Sequence, residues 1–177
     1  EGVADAAARL FVERAAEAAS ARGRFMVALA GGSTPEAMYR RLADDATLRD
    51  AVPWLQVHLF WGDERHVPPD HDASNYRMAN EVLLGRVRIP RNQIHRIEAE
   101  CPAAERVALA YEEVIRATFA LADGEWPQFD LVLLGMGADG HTASLFPGSA
   151  AVSDASRIVA APFIEKLGAF RITLTPS

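Results

Sequence analysis

The sequence predicts an α/β fold with a mostly parallel, Rossmann-like sheet and helices on both faces. Two observations point there. Short apolar runs alternate with longer amphipathic stretches in β-α-β-α-β order, the pattern of a parallel sheet with crossover helices. Three of those runs end in polar or glycine-rich clusters: Gly31 to Thr34, Asp63 to Arg65, and Gly137 to His141. Right-handed crossovers carry strand C-terminal ends to one rim, where ligands bind in open α/β sheets.

Each element has its own signal. Val3 to Ala21 reads as an amphipathic helix, with Ala7, Leu10, Phe11, Ala15 and Ala18 near one face. Arg24 to Ala30 is a short apolar strand that runs into Gly31-Gly32-Ser33-Thr34-Pro35. A helix follows from Pro35 to about Ala43; Ser33 or Thr34 is expected to cap it, and proline suits its first turn. Gln56 to Trp61 is the next strand, and Gly62 to Ser74 a polar loop. Asn75 to Leu84 is a helix with Ser74 as its expected cap, and Gln93 to Ile97 reads as a short strand. Pro102 to Leu121 is a long amphipathic helix. Phe129 to Leu134 is a buried strand, and Arg157 to Ala161 and Phe170 to Thr175 read as two more.

The 177 residues suit one α/β domain spanning 1–177. Hydrophobic residues make up 50% and charged residues 24%, as in ordinary soluble proteins. A net charge of -6 argues against nucleic acid or an anionic membrane as partner. Cys101 is the only cysteine, which excludes an intrachain disulfide and a cysteine-based zinc site and fits a reducing, cytoplasmic setting. No apolar run reaches the roughly 18 residues that span a bilayer. The N-terminal stretch, with acidic residues among its alanines, does not read as a signal peptide. Lys166 is the only lysine among many arginines and reads as genomic composition bias. Pro176-Ser177 comes straight after a strand-like run, so a C-terminal portion is expected to be missing.

Each polar cluster has two readings. Gly31 to Thr34, between strand and helix, is either an anion site built from backbone N–H groups and hydroxyls or a tight βα turn. It is neither GxxxxGK[ST] nor GxGxxG. Gly135-Met136-Gly137 begins a formal GxGxxG match ending at Gly140, without the acidic residue that a ribose contact needs. Asp63-Glu64-Arg65 is either a solvated charge run or a phosphate and sugar contact, with Arg65 offering paired donors. His141 follows the glycines and has Asp139 two residues before it; an imidazole there suits acid–base work. His58 reads as structural, His66 and His71 as peripheral, and His95 has no partner identifiable from sequence. No HExxH, paired Cys/His spacing or GxSxG occurs, so neither a metal site nor a serine-hydrolase elbow is expected.

In this order, three segments resemble the 6-phosphogluconolactonase family. They are Ala30 to Pro35, Trp61 to Arg65 with Val67-Pro68 and Ser74-Asn75-Tyr76, and Leu134 to Pro147. Arg171 to Thr175 looks like that family's next strand. The resemblance implies a sugar-phosphate isomerase/deaminase type of fold. It implies hydrolysis of 6-phospho-D-glucono-1,5-lactone in the pentose phosphate pathway, with no metal or cofactor. It assigns His141 as general base, with Asp139 as its support. Gly31, Gly32, Ser33 and Arg65 would serve the phosphate end, Asp63, Asn75, Gly137 and Asp139 would lie around the sugar or support His141, and Thr34 and Arg171 would be further substrate contacts. The expected partner is a small phosphosugar lactone and the expected state a monomer. The family's phosphate-binding lysine is expected beyond Ser177, and Lys166 does not match it.

Two rivals remain. Glucosamine-6-phosphate deaminases resemble the chain in the GST-P turn and GADGH, but they carry DGHIAFNEPG where this chain has His141 to Pro147. The carboxylate that the deaminase needs has no counterpart at Leu145-Phe146. A non-catalytic sugar-phosphate sensor on the same fold is the other, and the intact His141 and Asp139 speak against it.

Overall fold

The computed structural model describes residues 2–176. β1 (Phe25–Leu29) pairs parallel with β2 (Val57–Trp61), from Phe25 opposite Val57 to Leu29 opposite Trp61. On its other side β1 pairs parallel with β4 (Leu131–Val132), giving the order β2-β1-β4. The central place suits β1, whose five residues are all buried. Phe11 of α1 (Val3–Arg22) meets Phe25 edge-on at 5.3 Å. Phe60 lies three residues beyond the partner of Phe25, hence on the opposite face, and packs on Phe119 of α5 (Ala104–Phe119). Helices therefore cover both faces, as the periodicity predicts.

The C-terminal strands depart from expectation. β7 (Ala169–Leu174) does not join the parallel sheet. It pairs antiparallel with β3 (Asp63–Arg65), β5 (Val159–Ala160) and β6 (Phe163–Ile164). The links from β5 through β6 to β7 are a few residues each, too short for the dozen or so that a parallel crossover needs. Asp63 to Arg65 thus lies in a strand within the expected loop, hidden by its charged composition. Phe129 to Leu134 narrows to β4 because the chain turns into the glycines after Leu133, whose N–H reaches Ala28 at 2.9 Å. Of Gln93 to Ile97, only Ile94 bridges Leu59.

The caps divide. α2 (Ser33–Asp44) begins two residues early, with Gly32 (φ 101°) as its N-cap, so neither Ser33 nor Thr34 caps it. α3 (Ala46–Ala51) is capped by Asp45. Ser74 caps α4 (Asn75–Val82) as expected, accepting from the Arg77 N–H at 3.1 Å. No helix among the described residues is long and apolar enough to cross a membrane.

His95 does have a partner: its Nε2 lies 3.2 Å from Nδ1 of His58, with Phe60 stacked on its ring at 4.4 Å. Burial lowers both imidazoles, His95 from 6.5 to about 4. Between those values the unfolded chain binds more protons than the folded one, so the pair costs stability as pH falls. Buried Asp63 and Glu64, whose carboxyls burial raises, act in the opposite sense. The difference between proteins isolates the histidines. Acidification from pH 7 to 5 should lower the urea midpoint more in the wild type than in His95→Gln. Parallel pH profiles would remove this role from the pair.

Candidate active site

The glycine segment after β4 closes on itself. The Gly137 N–H donates to the His141 carbonyl at 2.8 Å, the Gly140 N–H to the Gly137 carbonyl at 2.9 Å, and Thr142 Oγ1 to the Gly135 carbonyl at 2.8 Å. This turn folds His141 back over Gly137. His141 Nδ1 contacts Asp139 Oδ1, and the ring stacks on Phe146 at 4.2 Å with 22° between planes. A Cβ on Gly137 would overlap both the His141 ring and the Asp139 carboxylate. Asp139 also pairs with Lys166, whose Nζ lies 4.3 Å above the Phe146 ring. With an acidic partner on Nδ1, that nitrogen holds the proton and Nε2 keeps the free lone pair.

Asp63 joins the three strand-end clusters. It is buried on β3, and its Oδ2 accepts from Ser144 Oγ at 2.7 Å, while Asn75 Nδ2 donates to its carbonyl at 2.9 Å and to Oδ1 at 3.3 Å. Asn75 lies over Gly31, where a Cβ would run into the carboxamide. Ser144 reaches inward because Ala143 before it is left-handed, with φ 47°, at a cost of roughly 1 kcal/mol. Burial raises the Asp63 carboxyl above its ordinary range; the Ser144 bond and the Arg65 and Arg171 charges oppose that. Glu64 is structural: its carboxylate accepts from the N–H groups of Arg65, Asn75 and Tyr76 and from Ser74 Oγ, all within 3.0 Å.

Arg65 and Arg171 face each other across the β3–β7 ladder. Arg65 donates to the Ala73 carbonyl at 2.5 Å, and no ion pair joins either guanidinium to a carboxylate among the described residues. Burial, then the Arg65 charge, lowers the Arg171 guanidinium from its ordinary value. Arg65 and Arg171 line the same cleft as the N-terminus of α2, which has no side-chain cap, and together they make it favour anions.

Every residue that the resemblance assigns to the site lines one cleft of about 450 Å³: Gly31, Gly32, Ser33, Thr34, Asp63, Arg65, Asn75, Gly137, Asp139, His141 and Arg171. Sequence reasoning missed Ser144, Phe146 and Lys166 on its wall. The first two stood inside a motif already noticed; Lys166 was conspicuous as the only lysine. His66 and His71 serve loop geometry, bonding the Cys101 carbonyl and the Ala73 N–H. A larger cavity of about 710 Å³, lined by Tyr76, Ile89, His95 and Val114, contains none of the three clusters. Among the described residues, no group of three His, Cys, Asp or Glu side chains is disposed to hold a metal.

Residues 1–177 match the family model described as glucosamine-6-phosphate isomerases/6-phosphogluconolactonase. A Synechocystis sp. protein named 6-phosphogluconolactonase is 42% identical over 162 residues, 92% of this chain and 65% of that one. The chain thus spans just under two thirds of that relative's length. The crystal structure of 6-phosphogluconolactonase from Thermotoga maritima superposes with a TM-score of 0.83 at 34% identity, covering 99% of this chain and 74% of that one. A monomeric glucosamine-6-phosphate deaminase superposes with a TM-score of 0.77 over 97% of this chain and 71% of that one. At 16% identity, this is likeness of fold alone.

Proposed function

The chain belongs to the glucosamine-6-phosphate isomerase/6-phosphogluconolactonase family, and from that premise we propose that it hydrolyses 6-phospho-D-glucono-1,5-lactone to 6-phosphogluconate. The observation that carries the reading is His141 oriented by Asp139 in the cleft that also holds Arg65, Arg171 and the α2 N-terminus. The reaction belongs to the oxidative pentose phosphate pathway, and the one cysteine fits a cytoplasmic setting. The chain acts as a monomer on a small phosphosugar lactone, without nucleic acid or membrane.

The chemistry asks little of the protein, since a δ-lactone is already electrophilic. Nε2 of neutral His141 takes a proton from water as the water oxygen attacks C1. Asp139 holds the ring in the required tautomer and stabilises the imidazolium that forms. The C1–O ring bond then breaks, and the imidazolium returns its proton to the departing ring oxygen. Gly137 and Gly140 spend their N–H groups inside the loop, so oxyanion stabilisation falls to the other donors of the cleft. The phosphate lies against Arg65, Arg171 and the Gly32–Thr34 turn, and its binding energy orients the lactone.

The deciding assay is lactone disappearance with the protein against the uncatalysed background. The deaminase reading predicts ammonia from glucosamine 6-phosphate; the sensor reading predicts 6-phosphogluconate binding without turnover. Arg65→Ala should raise KM by about tenfold or more while kcat falls less, because a charge-assisted contact remote from C1 is lost. The same preference for phosphorylated over unphosphorylated lactone in wild type and variant would remove Arg65 from the clamp.

A further inference from the structure

Backbone N–H and C=O groups alternate sides along a strand, so residues two apart face the same neighbour. On β1, Met26 and Ala28 face β4: their carbonyls accept from Asp130 and Leu133 at 2.8 and 2.9 Å. Ala30 faces the same way, but among the described residues no backbone group of the chain beyond Leu133 bonds to it. One hydroxyl fills the gap. Tyr39 Oη accepts from the Ala30 N–H at 3.0 Å and donates to the Ala30 carbonyl at 2.8 Å.

β2 repeats the arrangement on its outer edge. The Leu59 carbonyl accepts from the His95 N–H at 2.8 Å. Trp61 faces the same side, two residues further on. Tyr111 Oη, from α5, accepts from the Trp61 N–H at 2.8 Å and donates to the Trp61 carbonyl at 3.0 Å. Both tyrosines are fully buried, and burial pushes each phenol far above its ordinary value, so both remain O–H donors. Ala30 leads directly into Gly31 to Thr34, and Trp61 into Gly62 and Asp63 to Arg65.

We propose that Tyr39 and Tyr111 are positioning residues for the cleft, each supplying with one hydroxyl the backbone partner that Ala30, beyond β1, or Trp61, at the end of β2, lacks on that side. They fix the points from which the phosphate turn and the Asp63–Arg65 strand depart. The hydrogen-bonding role stands on geometry alone; its kinetic consequence rests on the lactonase reading.

The test has two arms. In the wild-type protein, the Ala30 and Trp61 amides should resist deuterium exchange as strongly as the amides inside β1 and β2. Exchange at the rate of the exposed loops would overturn the proposal, whether or not the protein is a lactonase. In Tyr39→Phe, exchange at residues 30–34 should accelerate by about tenfold or more. KM for the phosphorylated lactone should rise about tenfold with kcat nearly kept, less than the hundredfold that a misplacement of about 1 Å can cost. KM for unphosphorylated gluconolactone should stay as it was. A folded variant with wild-type exchange and wild-type KM would overturn the role of Tyr39. Should the wild type show no turnover, the lactonase reading fails and exchange alone decides the positioning. Should the variant not fold, the wild-type exchange pattern decides it.

Discussion

Replacing His141 by alanine is expected to lower kcat by about 10²–10⁴, the range over which a positioned general base acts. The size follows from how little else in the cleft could take the proton. With the imidazole gone, Asp139 keeps its ion pair with Lys166, and Asp63 stays buried beneath Ser144 and Asn75. Neither carboxylate offers a substitute base. Affinity for 6-phosphogluconate should hold to within a few fold, since Arg65, Arg171 and the α2 N-terminus are untouched. The melting temperature should barely change, because the imidazole lies on the cleft wall outside the hydrophobic core. A variant that kept wild-type kcat would remove His141 from the chemistry. One that lost product affinity by orders of magnitude would make it a binding residue instead.

Much of this site was legible because its residues follow strands. An apolar run ending in glycine, as Phe129 to Gly135 does, marks both a strand and the rim at which it stops. Three such stops in a parallel topology converge without further information. What the pattern could not carry is side-chain routing. Ser144 turns inward to Asp63 only because Ala143 adopts a positive φ, for which an alanine gives no sign. Lys166 reaches Asp139 from a short helical turn between two antiparallel strands. Of that antiparallel sheet, Arg157 to Ala161 and Phe170 to Thr175 were legible as strands, but Asp63-Glu64-Arg65 has the composition of a surface loop and is a strand only through its pairing with β7. The tyrosine hydroxyls were invisible for a related reason: a tyrosine in a helix gives no sign of which buried backbone group its hydroxyl will bond.

The sharpest separation of site from scaffold comes from two glycines of one loop. Gly140 has φ 81°, yet nothing lies within 4 Å of a Cβ placed there. Alanine at 140 therefore strains the turn by roughly 1 kcal/mol and leaves the histidine free to keep its place. Gly137 is the reverse. Its φ lies outside the left-handed region, so its backbone accepts alanine, but the added methyl would occupy the space of the His141 imidazole and of Asp139. Gly137→Ala should therefore leave the melting temperature nearly unchanged and lower kcat by about a hundredfold, the scale of a displacement of about 1 Å at a reacting group. Gly140→Ala should do the opposite, with a small loss of stability and kcat within a few fold of wild type. If the methyl acts by displacing His141, its effect should vanish once the imidazole is gone. Adding Gly137→Ala to His141→Ala should then cost nothing further in kcat. A second, independent loss in the double variant would mean that Gly137 acts on the substrate itself, and the loop would have to be read as a binding surface instead of a mount for the base.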